Sequence, residues 1–273
     1  MLKLMYITNQ SDVAKIADEN GVDRIFIDLE KIGKKERQGG MDTVQSQHSI
    51  EDISEVKNAI KQAELLVRVN PIHEETEAYS SSEEEIEEVI KHGADIIMLP
   101  FFKTLEEVQR FFRCVDGRVR TSLLLETPEA VEIVDEILKL PEVKEIHIGL
   151  NDLSLGYGKR FMFELLADGT VERLCRKFRE KEIDYGFGGI AALGKGMLPS
   201  EYIIKEHYRL GSTCAILSRS FCSPKETDLD IIRNTFETGI QEIRELEEEC
   251  KRHCDYFLTN RNIVIEKVNQ ICK

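Results

Sequence analysis

The chain has 273 residues, room for one large α/β barrel or two smaller domains with a full core. Its 51 acidic residues outnumber 37 basic ones, and the formal charge of −14 argues against nonspecific nucleic-acid binding, which needs a basic surface to displace counterions. No apolar run reaches the ~20 residues that span a bilayer, so no membrane association is expected. The opening residues carry no signal-peptide pattern, and the expected compartment is the cytoplasm. Seven scattered cysteines, an odd number, fit reduced thiols better than a disulfide framework.

In chain order, Leu4–Asn9 reads as a short apolar strand, with Ser11 capping the helix after it. Asp23–Glu30 is a second strand. A polar loop from Lys31 to His48 follows, too long for a simple connector. Ser49 and Asp52 form an approximate capping box for a helix to about Ala63. Leu65–Asn70 is a third strand. The acidic run Ser80–Glu88 opens the next helix and reads as a solvated start favoured by the helix dipole.

Ala94–Pro100 is the fourth strand, and Thr104 caps a helix to Val115. Val119–Glu126 is the fifth strand, with Pro128 at a first helical position. Val143–Leu150 is the sixth. Leu153–Gly158 reads as a loop before a helical region interrupted near Gly169. Asp184–Ile190 is the seventh strand, Pro199–Gly211 a helix, and Thr213–Ser218 the eighth strand.

Eight apolar strands alternating with helices predict a (β/α)8 barrel, catalytic over residues 1–225. Residues 226–273 are then a C-terminal helical extension. No glycine-rich dinucleotide fingerprint follows the first strand, which weighs against an open doubly wound sheet.

The active site of such a barrel lies at the C-terminal ends of its strands. Two apolar runs end there on carboxylates, Glu126 and Asp152. Neighbouring strands lie ~4.8 Å apart, so two such acids can share one Mg²⁺ or Mn²⁺ and leave positions open for water and substrate oxygens. The alternative is that each acid caps the next helix or pairs with an arginine. Arg68 is the candidate clamp for a substrate carboxylate, its planar fork matching that group; a plain salt bridge to Asp28 or Glu30 is the alternative. Asp28 and Glu30, two apart, share a face and are expected to support Arg68 from behind. Asn70, at the same strand end, is a candidate substrate-binding residue.

His48 closes the long loop and is the candidate general base near neutral pH, against a plain surface histidine at a helix start. His147, in mid-strand, is expected to pack inside the barrel. Gly188 and Gly189, with Ser218 and Arg219, fall where many barrels bind phosphate, or merely permit a turn. Cys250, His253 and Cys254 share a helix face without a distant partner and read as a thiol-bearing surface.

Four stretches carry a family resemblance: Leu65-Leu66-Val67-Arg68-Val69-Asn70-Pro71, Gly93–Pro100, Leu123-Leu124-Leu125-Glu126-Thr127-Pro128-Glu129-Ala130 and Ile148-Gly149-Leu150-Asn151-Asp152-Leu153-Ser154. In order and spacing they resemble the HpcH/HpaI aldolase and citrate lyase β-subunit family, best from about Asp23 to Ser154. The resemblance implies a barrel of the phosphoenolpyruvate/pyruvate group, a divalent metal on Glu126 and Asp152, and a substrate-binding Arg68. It implies carbon–carbon cleavage next to a 2-oxo acid or an acyl-CoA through a pyruvate-like enolate, in a homo-oligomer that exchanges C-terminal helices. Two departures stand out. The aldolase branch has a histidine after the second-strand acid, where this chain has Lys31. The stretch Gly33–Gln38 is nearer the lysine- and arginine-bearing loop of the citrate lyase branch. The expected activity is a metal-dependent aldolase-type lyase; a citrate-lyase-like acyl-CoA lyase and a non-catalytic assembly barrel are the alternatives.

Overall fold

A computed structural model describes residues 1–34, 47–253 and 255–273. Eight parallel strands close into one barrel in sequence order: β1 (Lys3–Ile7), β2 (Arg24–Asp28), β3 (Glu64–Arg68), β4 (Ile96–Leu99), β5 (Arg120–Leu125), β6 (Glu145–Ile148), β7 (Asp184–Ile190) and β8 (Cys214–Leu217). The eightfold barrel is as expected. The strands are apolar on both faces because each is covered twice. Met5, Phe26, Leu66, Ile96, Met98, Leu124 and Cys214 fill the inside, while the alternate residues pack outward under the helices.

The floor of the barrel is ionic. Arg24 donates to both carboxylate oxygens of Glu145, at 2.7 and 2.8 Å, and its Nε reaches Glu64 at 3.2 Å. His147 points inward, as expected, and its Nε2 lies 3.1 Å from the Gly188 carbonyl. A Cβ on Gly186 would run into Cys214 and His147, so this strand passes the filled interior only as glycine.

The helices are α1 (Ser11–Glu19), α2 (Glu51–Ala59), α3 (Ser82–Lys91), α4 (Leu105–Val115), α5 (Pro128–Glu132), α6 (Val134–Ile137), α7 (Leu150–Gly156), α8 (Glu164–Ala167), α9 (Thr170–Glu180), α10 (Ser200–Leu210), α11 (Leu229–Arg252) and α12 (Phe257–Ile271). Local chemistry sets several starts. Thr104 and Glu107 complete a capping box at α4, and Pro128 opens α5 behind the Thr127 cap. Ser11 is not a cap: Gln10 holds that position and makes no side-chain cap bond. Ser49 and Asp52 form half a box, the Ser49 N–H donating to Asp52 at 2.8 Å.

One expectation about elements needs correction. Leu153–Gly158 is not a loop, because α7 runs through Leu150–Gly156 and is capped at Tyr157, just before Gly158 with φ +66°. After residue 225 the chain is helical. α11 packs between α1 and α10 and takes the place of the eighth outer helix. Phe236 meets Tyr6 edge-on at 4.9 Å, and buried Glu247 accepts from the Leu2 N–H at 2.6 Å. α12 follows as a further helix. It folds back on α8 and α10 of its own chain, with Asn260 donating to Glu206 at 2.8 Å.

Residues 35–46 and Cys254 lie outside the described residues, and with them most of the Lys31–His48 loop and part of the proposed thiol face. Among the described residues the cysteines are all free, and no helix is long and apolar enough to cross a membrane.

Candidate active site

β2 and β3 place Asp28 and Arg68 as direct register partners at the C-terminal rim. Both side chains point inward, and they meet side-on: Arg68 Nε and Nη2 each donate to one Asp28 oxygen, both at 2.8 Å. Glu30 sits 3.4 Å from the same Nη2. Lys34, almost fully buried, donates to Asp28 Oδ2 at 2.6 Å and lies 3.6 Å from Glu30. Below the guanidinium is the ring of Phe26, 5.6 Å away. Among the described residues two carboxylates and two cations meet in one buried cluster.

Burial pushes the Asp28 carboxyl up, but Arg68 and then Lys34 outweigh it and hold its pKa well below the usual carboxylate range. Burial likewise disfavours the Arg68 cation, and Asp28 and Glu30 more than restore it. Arg68 is therefore a fixed cation whose Nη1 has no acceptor among the described residues.

His48 is brought to this cluster, but not as a base. Its Nδ1 accepts the Asp28 backbone N–H at 2.9 Å. That bond places the neutral ring's own proton on Nε2, leaving no lone pair to take one from a substrate. Burial also lowers its pKa, against the opposing pull of Asp28 and Asp52. His48 fixes the end of β2.

Asn70 is likewise engaged. Its Oδ1 accepts from the Lys31 and Ile32 N–H groups at 2.8 and 3.0 Å, and its Nδ2 donates to Glu85 at 2.8 Å. It ties the chain leaving β2 to α3 and keeps one Nδ2 hydrogen beyond these bonds. Glu85 corrects the reading of the acidic run as solvated: it is 6% exposed, and burial raises its pKa against the bonds from Asn70.

Glu126 follows β5 directly and is 4% exposed. Its Oε1 accepts the Phe101 N–H at 3.1 Å, which the β4 end presents through a left-handed turn at Phe101, φ +48°. Thr127 beside it donates to the Phe102 carbonyl at 2.7 Å. The backbone of β6 presses on the carboxylate: a Cβ on Gly149 would lie 2.6 Å from Glu126 Oε2. Asp152 is also buried, with Asn151 donating to its Oδ1 at 3.1 Å. It is not at a strand end, since β6 stops at Ile148; it stands in the first turn of α7.

Glu126 and Asp152 offer only oxygen donors. Among the described residues no group of three His, Cys, Asp or Glu converges as a metal cage. Two carboxylates suit a hard cation that keeps water and substrate oxygens in its shell, as Mg²⁺ and Mn²⁺ do, and do not suit zinc.

Gly188 has its own reasons to be glycine: φ +54°, and a Cβ there would meet Leu150 at 2.7 Å. At Gly189 a Cβ would make only ordinary contacts, the nearest at 3.4 Å. Gly188 is accounted for by the fold without a bound phosphate, while nothing in the packing requires glycine at position 189.

Lys34 and Glu85 are the site residues that the sequence pattern hid. Lys34 stands four residues after Glu30, and Glu85 stands in register with the buried Ile86 and Val89 face of α3. Those spacings were the available clue.

A closed barrel that gathers buried charge at the C-terminal ends of its strands has the architecture of a (β/α)8 enzyme. The sequence matches the HpcH/HpaI aldolase/citrate lyase description over residues 3–162, and the chain belongs to that family. The matched stretch contains Asp28, His48, Arg68, Asn70, Glu126 and Asp152, while Gly188 and Gly189 lie beyond it. An HpcH/HpaI aldolase from Desulfitobacterium hafniense DCB-2 has a similar structure, with 17% identity, a TM-score of 0.60, and coverage of 89% of this chain and 93% of that one. An HpcH/HpaI aldolase/citrate lyase family protein from Burkholderia cenocepacia J2315 shows 14% identity, a TM-score of 0.63, and coverage of 89% and 94%. At these identities the likeness concerns the fold. No curated protein matches the sequence.

Proposed function

We propose that the protein is a divalent-metal-dependent carbon–carbon lyase acting on a 2-oxo acid. The observation that carries this reading is Arg68. It is held at Nε and Nη2 by one buried carboxylate and keeps Nη1 for a ligand, on the rim that also bears Glu126 and Asp152. A guanidinium fixed in this way docks a substrate carboxylate or 2-oxo oxygen without having to reorganise. In a retro-aldol cleavage the 4-hydroxyl proton passes to a water molecule, the C4–O bond becomes a carbonyl as the C3–C4 bond breaks, and the pair from that bond moves toward the 2-oxo oxygen, where Arg68 offsets the charge that develops. Glu126 and Asp152 would hold the Mg²⁺ or Mn²⁺, which supplies further positive charge against the enolate. Asp28, Glu30 and Lys34 keep Arg68 aligned, and His48 and Asn70 keep the β2 end in place.

The test is pyruvate release from a 4-hydroxy-2-oxo acid, with an acyl-CoA thioester run in parallel for the citrate-lyase-like alternative. Cleavage should require added Mg²⁺ or Mn²⁺. Arg68→Lys should lower kcat/KM by about 100-fold or more, because a point charge does not reproduce the fork. Full activity in excess chelator would overturn the proposal.

A further inference from the structure

Away from the barrel mouth, on the flank between α9, α10 and α12, lies a cavity of about 310 Å³. Arg173, Arg176 and Arg179 of α9, Arg209 of α10 and Arg261 of α12 line it. Five guanidinium groups on one cavity are out of keeping with a chain of net charge −14.

The acids on its wall are already engaged. Glu172 is paired with Arg209 at 2.9 Å and Arg261 at 3.4 Å, buried Glu206 also holds Arg209 at 2.7 Å, and Asp168 is paired with Lys159 at 2.8 Å. Arg173 has only neutral partners, the Thr170 hydroxyl at 2.9 Å and the Asp168 carbonyl at 3.5 Å. Among the described residues Arg176 and Arg179 have no carboxylate partner. The three α9 arginines recur every third residue, so they follow one ridge of the helix about 9 Å long. Their mutual repulsion is relieved by an anion.

The directions of approach select the kind of anion. A planar carboxylate is satisfied by one or two guanidinium forks in its own plane. A phosphoryl group turns three oxygens outward and accepts donors from several sides. Here the donors come from two helices, the α9 ridge and Arg261 of α12, because Arg209 is committed to Glu206 and Glu172. The volume sits at the lower end of small-ligand cavities, ~300–1,000 Å³, which favours a compact ligand.

We propose that this flank cavity binds a small compound bearing two linked phosphoryl groups, at a site separate from the one that holds the 2-oxo acid. The α9 ridge contacts both phosphoryl groups, Arg261 faces them from α12, and Arg209, held by Glu206 and Glu172, fixes the wall between them.

The test uses inorganic pyrophosphate as the probe and the full chain, by calorimetric titration and by thermal unfolding at rising pyrophosphate. Wild type should bind and should unfold at a higher temperature as pyrophosphate rises. Arg176→Ala/Arg179→Ala should bind at least about tenfold more weakly, since two charge-assisted contacts are removed. Both side chains are exposed, so the variant should unfold at the wild-type temperature without pyrophosphate. Glu126→Gln, a change of nearly the same shape at the barrel mouth, should bind pyrophosphate as wild type does. The proposal is overturned by no binding in wild type, by undiminished binding in the double variant, or by loss of binding in Glu126→Gln. None of these results bears on the lyase reading, which stands or falls on cleavage and metal.

Discussion

The Arg68 guanidinium commits two of its nitrogens to Asp28, so it cannot swing away when the site is empty. That rigidity depends on Asp28 staying ionised. Asp28→Asn leaves Arg68 and Lys34 buried beside Glu30 with one negative charge too few. Breaking a buried ion pair from one side costs about 3–5 kcal/mol, and a loss of that size is expected in denaturant unfolding at pH 7. The folded pKa of Asp28 lies below its unfolded value. Its stabilisation is therefore complete above the ordinary carboxylate range and is lost as pH falls below it. The gap between wild type and Asp28→Asn should be constant above about pH 4 and begin to narrow only below it; a gap that does not narrow below that pH would refute the pairing. At this scale the sequence was legible where an apolar run stops on a charge, as at Arg68 and Glu126. It was not legible where charge is buried by tertiary contact. Glu85 sits in a run of acids that looks solvated, and Asn70 and His48 look available because their partners are backbone groups distant in sequence.

Among the elements, the β6–α7 junction matters most. Gly149 lets the backbone touch Glu126, and the helix that starts one residue later carries Asp152. Gly149→Ala forces the Glu126 carboxylate aside. A displacement of about 1 Å at a reacting centre can cost ~100-fold in rate, so this variant should lose activity by that order. Its unfolding temperature should also fall, because the new Cβ meets Glu126 Cβ at 2.7 Å and Leu124 at 3.3 Å. Wild-type turnover in Gly149→Ala would show that the contact is not needed. The strands were readable because each is a continuous apolar run bounded by turns. α7 was not, because Gly149, Asn151, Asp152 and Gly156 are loop formers by composition, and the helix is held by packing of Leu150 and Leu153. The eighth place of α11 in the barrel follows from Phe236, Ile240 and Ile243, spaced for one buried face.

Over the whole molecule, the barrel buries histidines that must stay neutral. Burial lowers His147 to about 4, and burial together with the nearby His147 lowers His207 to about 3. The unfolded chain takes up these protons near pH 6.5, so stability is full above that pH and falls as pH drops toward 4. Each histidine contributes a slope of about 1.4 kcal/mol per pH unit in that window. Glu85, with its raised pKa, acts in the opposite sense. Denaturant midpoints should therefore fall steadily between pH 6.5 and 4.5, and a flat profile would contradict the buried neutral state. The central claim is that this acidic barrel works by holding a divalent cation on Glu126 and Asp152 beside a fixed Arg68. The direct measurement is calorimetric titration of the full chain with Mn²⁺, with and without oxalate as a pyruvate-like ligand. One Mn²⁺ per chain is predicted, bound more tightly with oxalate, and lost in Glu126→Gln and in Asp152→Asn. No Mn²⁺ binding in wild type, or unchanged binding in both variants, would contradict the account.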